Sequence, residues 1–290
     1  MDKDFQSQFD AIERDRKRRE RDTLLLLLLY ASRAQRLIVG HLRDAGDDAT
    51  ELDVLHPKMS VAVEPLQRAQ AEAWAQAHKR VGDISDEDLI AAGLLAIDSE
   101  YYDQALPLFE QPARDIVSGI AGRLSDVARQ AVADKFSGEN AADVVRKAFV
   151  AGGWTAREPS SVDSELTGKP AWAVRTEATD AIIKAYNGGF YEGMEDPRIK
   201  VKLTAYRHVS VLDDRTSDIC RERGMILPGG ITLPIFHSYW NKNWAPLHFL
   251  CRSMILPCFG EVEFSTVFPV TQAEPGWGYR NASGVERMLS

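Results

Sequence analysis

The side chains best suited to chemistry crowd into the last third of the chain. Cys220, His248, Cys251 and Cys258 supply thiolate and imidazole, the usual ligands of zinc, and the His-x-x-Cys spacing of His248 and Cys251 suits two ligands on one turn. A tetrahedral shell of Cys220, His248 and Cys251, closed by Cys258 or an aspartate, is one expectation. Because a Cys-x-x-Cys pair is absent, three other readings stand beside it. The first is a Cys220–Cys251 disulfide formed in an oxidising exterior. The second is a nucleophilic Cys220 or Cys251 with His248 as base. The third is packing alone, with buried cysteines behaving as small hydrophobes. Nearby, LDDRTSDICRERG (212–224) adds Asp213, Asp214 and Arg215. A carboxylate at a turn accepts backbone N–H bonds, and an adjacent guanidinium forks onto a second carboxylate. These residues therefore fit loop-tying contacts better than a divalent-metal nuclease centre, for which no third acidic ligand stands at a telling distance. His208 and His237 lack a recognisable partner in the sequence and read as surface or satisfied core histidines.

The elements that must position these groups change character along the chain. Residues 5 to 44 contain no Pro or Gly before Gly40 and read as one long helix, charged in its first half and apolar in its second. Its hexaleucine, Leu24 to Leu29, is apolar on all sides, so a partner chain is the expected cover, touching Leu24, Leu25, Leu28 and Leu29. The basic residues between Arg14 and Arg21 alternate with Glu13, Asp15, Glu20 and Asp22, as on a solvated helix face. The uninterrupted apolar run from Leu24 to Ala31 falls well short of the about 20 residues that span a bilayer, so no membrane segment is expected. The mixed charge of the first residues is unlike a secretory signal.

More helices follow a polar hinge at 46–57. Pro65 suits the first turn of a helix reaching Val81, and Ser85 with Asp88 resembles a capping box for a helix through Ala96. Ala113 to Phe136 is strongly periodic, with Gly138 as its stop, and Asn140 caps a short helix ended by Gly152 and Gly153. A turn-rich linker at 158–170 precedes a helix from Ala171 to Gly193, in which Gly188 and Gly189 mark close packing or a kink. Alternation at Ile199, Val201, Leu203 and Ala205 then predicts a strand; GGITLPIF and EVEFSTVF predict two more. The fold class expected is α+β: a long N-terminal helix (1–55), a helical region (56–157), a small α+β domain with a short antiparallel sheet (170–268) and an extended tail (269–290).

At 290 residues and a net charge of −8, the chain lacks the positive field that sequence-blind nucleic-acid binding needs. Three cysteines cannot all pair internally, which fits a reducing compartment or a metal.

In chain order, RTEATDAIIKAYNGG leads to a strand exit with Asp, Arg and Thr, then Cys220, Gly224 and the Pro-x-His-x-x-Cys-Arg segment from Pro246 to Arg252. This order resembles the phage Mu F-like minor head proteins, the head-morphogenesis proteins of tailed double-stranded DNA phages, over about residues 170–260. The matching residues are Arg175, Thr176, Glu177, Asn187, Asp214, Arg215, Thr216, Cys220, Gly224, Pro246, His248, Cys251 and Arg252. Two positions depart from the family pattern: Ser253, where members often carry a further Cys, and Tyr206, where they commonly carry Trp. Cys258 is then the candidate replacement for the missing ligand.

The resemblance implies a structural virion protein, not an enzyme. Such proteins sit in few copies at the portal vertex inside the head, assembled in the host cytoplasm. The partners implied are the portal or major capsid protein and the packaged DNA, and the roles are packaging and ejection; the N-terminal helix also offers a route to self-association. The alternative is a hydrolase or toxin-type effector using the Cys/His/Asp constellation.

Overall fold

The structure, a computed structural model, describes residues 3–45, 52, 60–85, 99–152, 154, 169–225, 230–275, 277 and 278. The linker expected at 158–170 and the helix expected to open at Ser85 fall outside them except at their ends. The fold is α+β, with a long N-terminal helix and a three-stranded antiparallel sheet near the C-terminus. Contacts divide the chain into two compact units, neither continuous in sequence: Arg18–Ala69 with Phe109–Thr179, and Met1–Lys17 with Gln70–Leu108 and Asp180–Ser290. The consecutive segments read from the sequence are thus not the compact units.

The first of these units is helical. Helix α1, Lys3–Ala45, brings its second half, and α2, Val63–Ser85, its first turns. A short α3, Ser99–Ala105, belongs to the other unit, while α4, Glu110–Ala133, and α5, Ala141–Ala151, complete the bundle with the start of α6, Lys169–Glu195. Asn140 caps α5 by accepting from the Asp143 N–H, and Gly152 ends it, as the sequence predicts. Leu24, Leu27, Leu28, Ala31, Ala34, Ile38 and Leu42 form one stripe of α1 at helical spacing. That stripe packs with Leu66 of α2, Val117, Ile120 and Leu124 of α4, Val145 and Phe149 of α5 and Val174 of α6.

This corrects the expectation that a partner chain covers the hexaleucine. Leu24 and Leu28 lie in the chain's own core, Leu25 is half-buried, and Leu29 alone of the four is exposed. By length and composition alone Phe9–Ala45 is apolar enough to cross a membrane, but 61% of its apolar 18-residue window is buried within the protein, as in a core helix. The solvated reading of the basic run is also corrected at three residues. Arg16 is fully buried and forks onto Glu13 at 2.7 and 2.8 Å, and Asp15 accepts a hydrogen bond from the Tyr186 hydroxyl.

In the second unit, α6 lies against α2 so closely that only glycine fits. A Cβ at Gly189 would stand 2.1 Å from the Trp74 carbonyl oxygen, and one at Gly193 2.8 Å from Val81. The Gly-Gly of the sequence thus marks close packing. Asp196 caps the short α7, Pro197–Lys200, which takes the residues where the strand was expected to begin. Strand β1, Leu203–Val209, follows, then α8, Asp218–Met225, β2, Ile231–Pro234, and β3, Met254–Phe259. The strand order is β2-β1-β3, all antiparallel.

EVEFSTVF is not the third strand. Its Ser265 exchanges hydrogen bonds with Thr232 of β2, but the stretch is not one of the strands of the sheet. The third strand is MILPCF, whose first five residues are buried irrespective of face, so no alternation announces it, and whose Pro257 is tolerated because the strand is an edge. Tyr206 of β1 meets Trp240 and Trp244 edge-on at 5.7 and 5.0 Å, forming the aromatic core beside the sheet.

Candidate metal centre

Cys220 comes from α8, and His248 and Cys251 from the loop before β3. The loop delivers both of its groups through a tight turn: the Cys251 N–H donates to the His248 carbonyl at 3.2 Å, and Leu250 between them takes φ +58°. A non-glycine residue in this left-handed region costs about 1–3 kcal/mol and persists only where the surroundings hold it. Leu247 packs against both cysteines, and Ile219 and Ala273 cover them. The first residues of the tail help to close this wall. Val270 and Thr271 donate backbone N–H bonds to Glu222 at 2.7 and 2.8 Å, the buried Arg223 binds the Thr271 carbonyl at 2.9 Å, and Glu274 N donates to the Leu247 carbonyl.

Among the described residues, the Cys220 and Cys251 sulfurs and a His248 ring nitrogen lie within 4.8 Å of one another, a group that could hold a metal ion. The sulfurs are 3.5 Å apart, and His248 Nε2 is 3.0 Å from Cys220 Sγ. His248 Nδ1 is 2.8 Å from the Phe249 carbonyl, which only accepts, so Nδ1 carries the hydrogen and Nε2 presents its lone pair to the thiols. Metal bonds of about 2.3 Å to sulfur and about 2.0 Å to nitrogen at tetrahedral angles need separations of about 3.8 and 3.5 Å. Shifts of a few tenths of an ångström bring these two separations into range, and the three donors together could hold a metal ion.

Two hydroxyls complete the surroundings: Ser217 Oγ lies 2.8 Å from His248 Nε2, and Ser253 Oγ donates to Cys220 Sγ at 3.1 Å while contacting Ser210 Oγ at 2.9 Å. Asn187 on α6 reaches the Ser253 carbonyl at 3.4 Å. Serines are too common for sequence to single these out.

The thiols divide one negative charge unequally. Burial raises the Cys251 pKa, but hydrogen bonds from Cys220, Leu247 and Ser253 outweigh it and bring the thiol down to about 6. The hydrogen bond to Cys251, reinforced by burial, pushes Cys220 up against the pull of His248. Burial lowers His248, yet its contact with Cys220 raises it further, for a net upward shift.

Cys258 is not the fourth ligand. It lies buried in β3 opposite Ala205, outside the cluster, with its thiol raised by burial. Of the two aspartates, Asp213 and not Asp214 makes the motif contacts. Its carboxylate takes both Arg252 amino groups, one of them at 2.6 Å, together with the Arg215 N–H at 2.9 Å and Thr216 Oγ1 at 3.2 Å. Asp214 is exposed. Arg175 and Glu177 belong to the helical unit, where Arg175 is exposed and Glu177 pairs with Arg123 at 3.4 Å.

Comparisons with protein-family models, with curated proteins and with solved structures found no match for this chain.

Proposed function

We propose that this chain is a structural minor head protein of a tailed double-stranded DNA phage. It acts by binding at the portal vertex or the capsid interior, and a zinc ion on Cys220, His248 and Cys251 ties the wall of its C-terminal unit. One observation carries this reading: Asn187, Thr216, Cys220, His248, Cys251 and Arg252, all matching residues of the resemblance, gather around one small cluster. A three-stranded sheet has little core of its own, so a metal joining α8 to the loop before β3 contributes directly to folding.

The hydrolase alternative has a specific feature in its favour, the 3.0 Å contact of Cys220 with His248. Against it, Cys251, the thiol held low, is fully buried, Cys220 is held as a thiol, and the recess above Cys220 has a volume of about 10 Å3, room for roughly one water and not for a substrate.

The assembly reading is tested by mass spectrometry of purified heads. The chain is expected there in substoichiometric amount relative to the major capsid protein, and its absence from intact heads overturns the proposal. For the zinc, metal analysis is expected to give one ion per chain, with chelation lowering the melting temperature. Retained stability in metal-free protein removes the zinc from the account.

A further inference from the structure

Among the described residues three protein donors converge at the cluster, whereas a tetrahedral ion takes four. The missing corner is flanked by hydroxyls: Ser253 Oγ, 3.1 Å from Cys220 Sγ, and Ser217 Oγ, 2.8 Å from His248 Nε2. A neutral hydroxyl is a poor zinc ligand beside thiolate and imidazole, but a good hydrogen-bond partner for a small molecule bound to the ion. Cys258, the remaining thiol, is held in β3 away from the cluster.

The same corner is open to the outside. The recess of about 10 Å3 is lined by Arg215, Thr216, Ser217, Leu250, Arg252 and Ser253, and Cys220 and His248 form part of its wall. Two guanidiniums stand on this rim, Arg252, which engages Asp213 directly, and Arg215, which approaches it at 3.8 Å. Guanidiniums at the mouth suit an anion as the entering ligand.

We infer that the metal centre keeps an exchangeable fourth position, taken by water or a small inorganic anion that enters between Arg215 and Arg252. Ser217 and Ser253 orient that ligand without binding the ion. This inference rests on the metal reading given above. Structural zinc sites are closed by four protein ligands, whereas an open position gives the ion a ligand that solution conditions control.

Cobalt(II) reports its own coordination and replaces zinc in such sites, so the full-length protein loaded with one cobalt ion is the test. The wild type is expected to show charge transfer from two thiolates, with visible bands that shift saturably on adding azide. Ser253→Ala is expected to keep one cobalt ion with two-thiolate charge transfer and to weaken the azide response. Ser253→Cys is expected to raise the charge-transfer intensity by about half and to abolish the azide response, because a third thiolate now closes the shell. If the wild type binds one cobalt ion but ignores azide, the fourth position is closed and the inference fails while the metal reading stands; an azide response unchanged in Ser253→Ala overturns the role given to that serine. Failure of the wild type to bind either cobalt or zinc overturns both.

Discussion

Asp213 and Asp214 are adjacent and have opposite surroundings. Asp213 is held well below the usual carboxylate range, chiefly by the Arg252 hydrogen bonds, against a smaller opposing effect of burial, while Asp214 faces solvent. Asp213→Asn is expected to cost about 1–3 kcal/mol in chemical denaturation, because it leaves the Arg252 guanidinium without its charged partner, and Asp214→Asn less than about 0.5. His208 makes a second residue-scale prediction. Its ring is fully buried in β1, and burial, helped by the charge of Arg223, pulls its pKa down to about 3. The unfolded chain binds a proton on this ring near pH 6.5 and the folded chain does not, so stability is complete above 6.5 and falls as the pH drops towards 3. The slope is about 1.4 kcal/mol per pH unit. His208→Leu should remove that slope between about pH 4.5 and 6, where Asp213 is ionised in both states; an unchanged slope in urea melts across that range would show that His208 is not its source.

At the scale of elements, glycines within helices separate packing from propensity. Gly189 lies where a methyl group would meet the Trp74 carbonyl at 2.1 Å, so Gly189→Ala must push α6 off α2 and is expected to cost at least about 2 kcal/mol. Gly40 in α1 has nothing within 4 Å of such a methyl, so Gly40→Ala is expected to stabilise by about 0.5–1 kcal/mol. Opposite signs in thermal melts would confirm both assignments. The helices themselves are legible because they repeat an apolar stripe over many turns, as α1 and α4 do. Strand β3 is not legible, since five successive residues buried without alternation and interrupted by Pro257 carry no periodic signal.

For the whole molecule, the hexaleucine decides what α1 is for. Leu27 is fully buried and Leu29 is 39% exposed, so Leu27→Ala is expected to cost about 2–5 kcal/mol and Leu29→Ala less than about 0.5. Equal effects in equilibrium unfolding would return the leucines to an intermolecular role. The sequence by itself determined the α+β class and the long helix and singled out Cys220, His248 and Cys251 as groups able to bind a metal, because local periodicity and residue chemistry need no tertiary knowledge. Only the tertiary structure decided that Leu24 and Leu28 are covered by their own chain, that Asp213 and not Asp214 holds Arg252, and that Ser253 and not Cys258 stands beside the thiols. Each of those outcomes turns on which distant segments meet, and long-range packing leaves no trace in the spacing of neighbours along the chain.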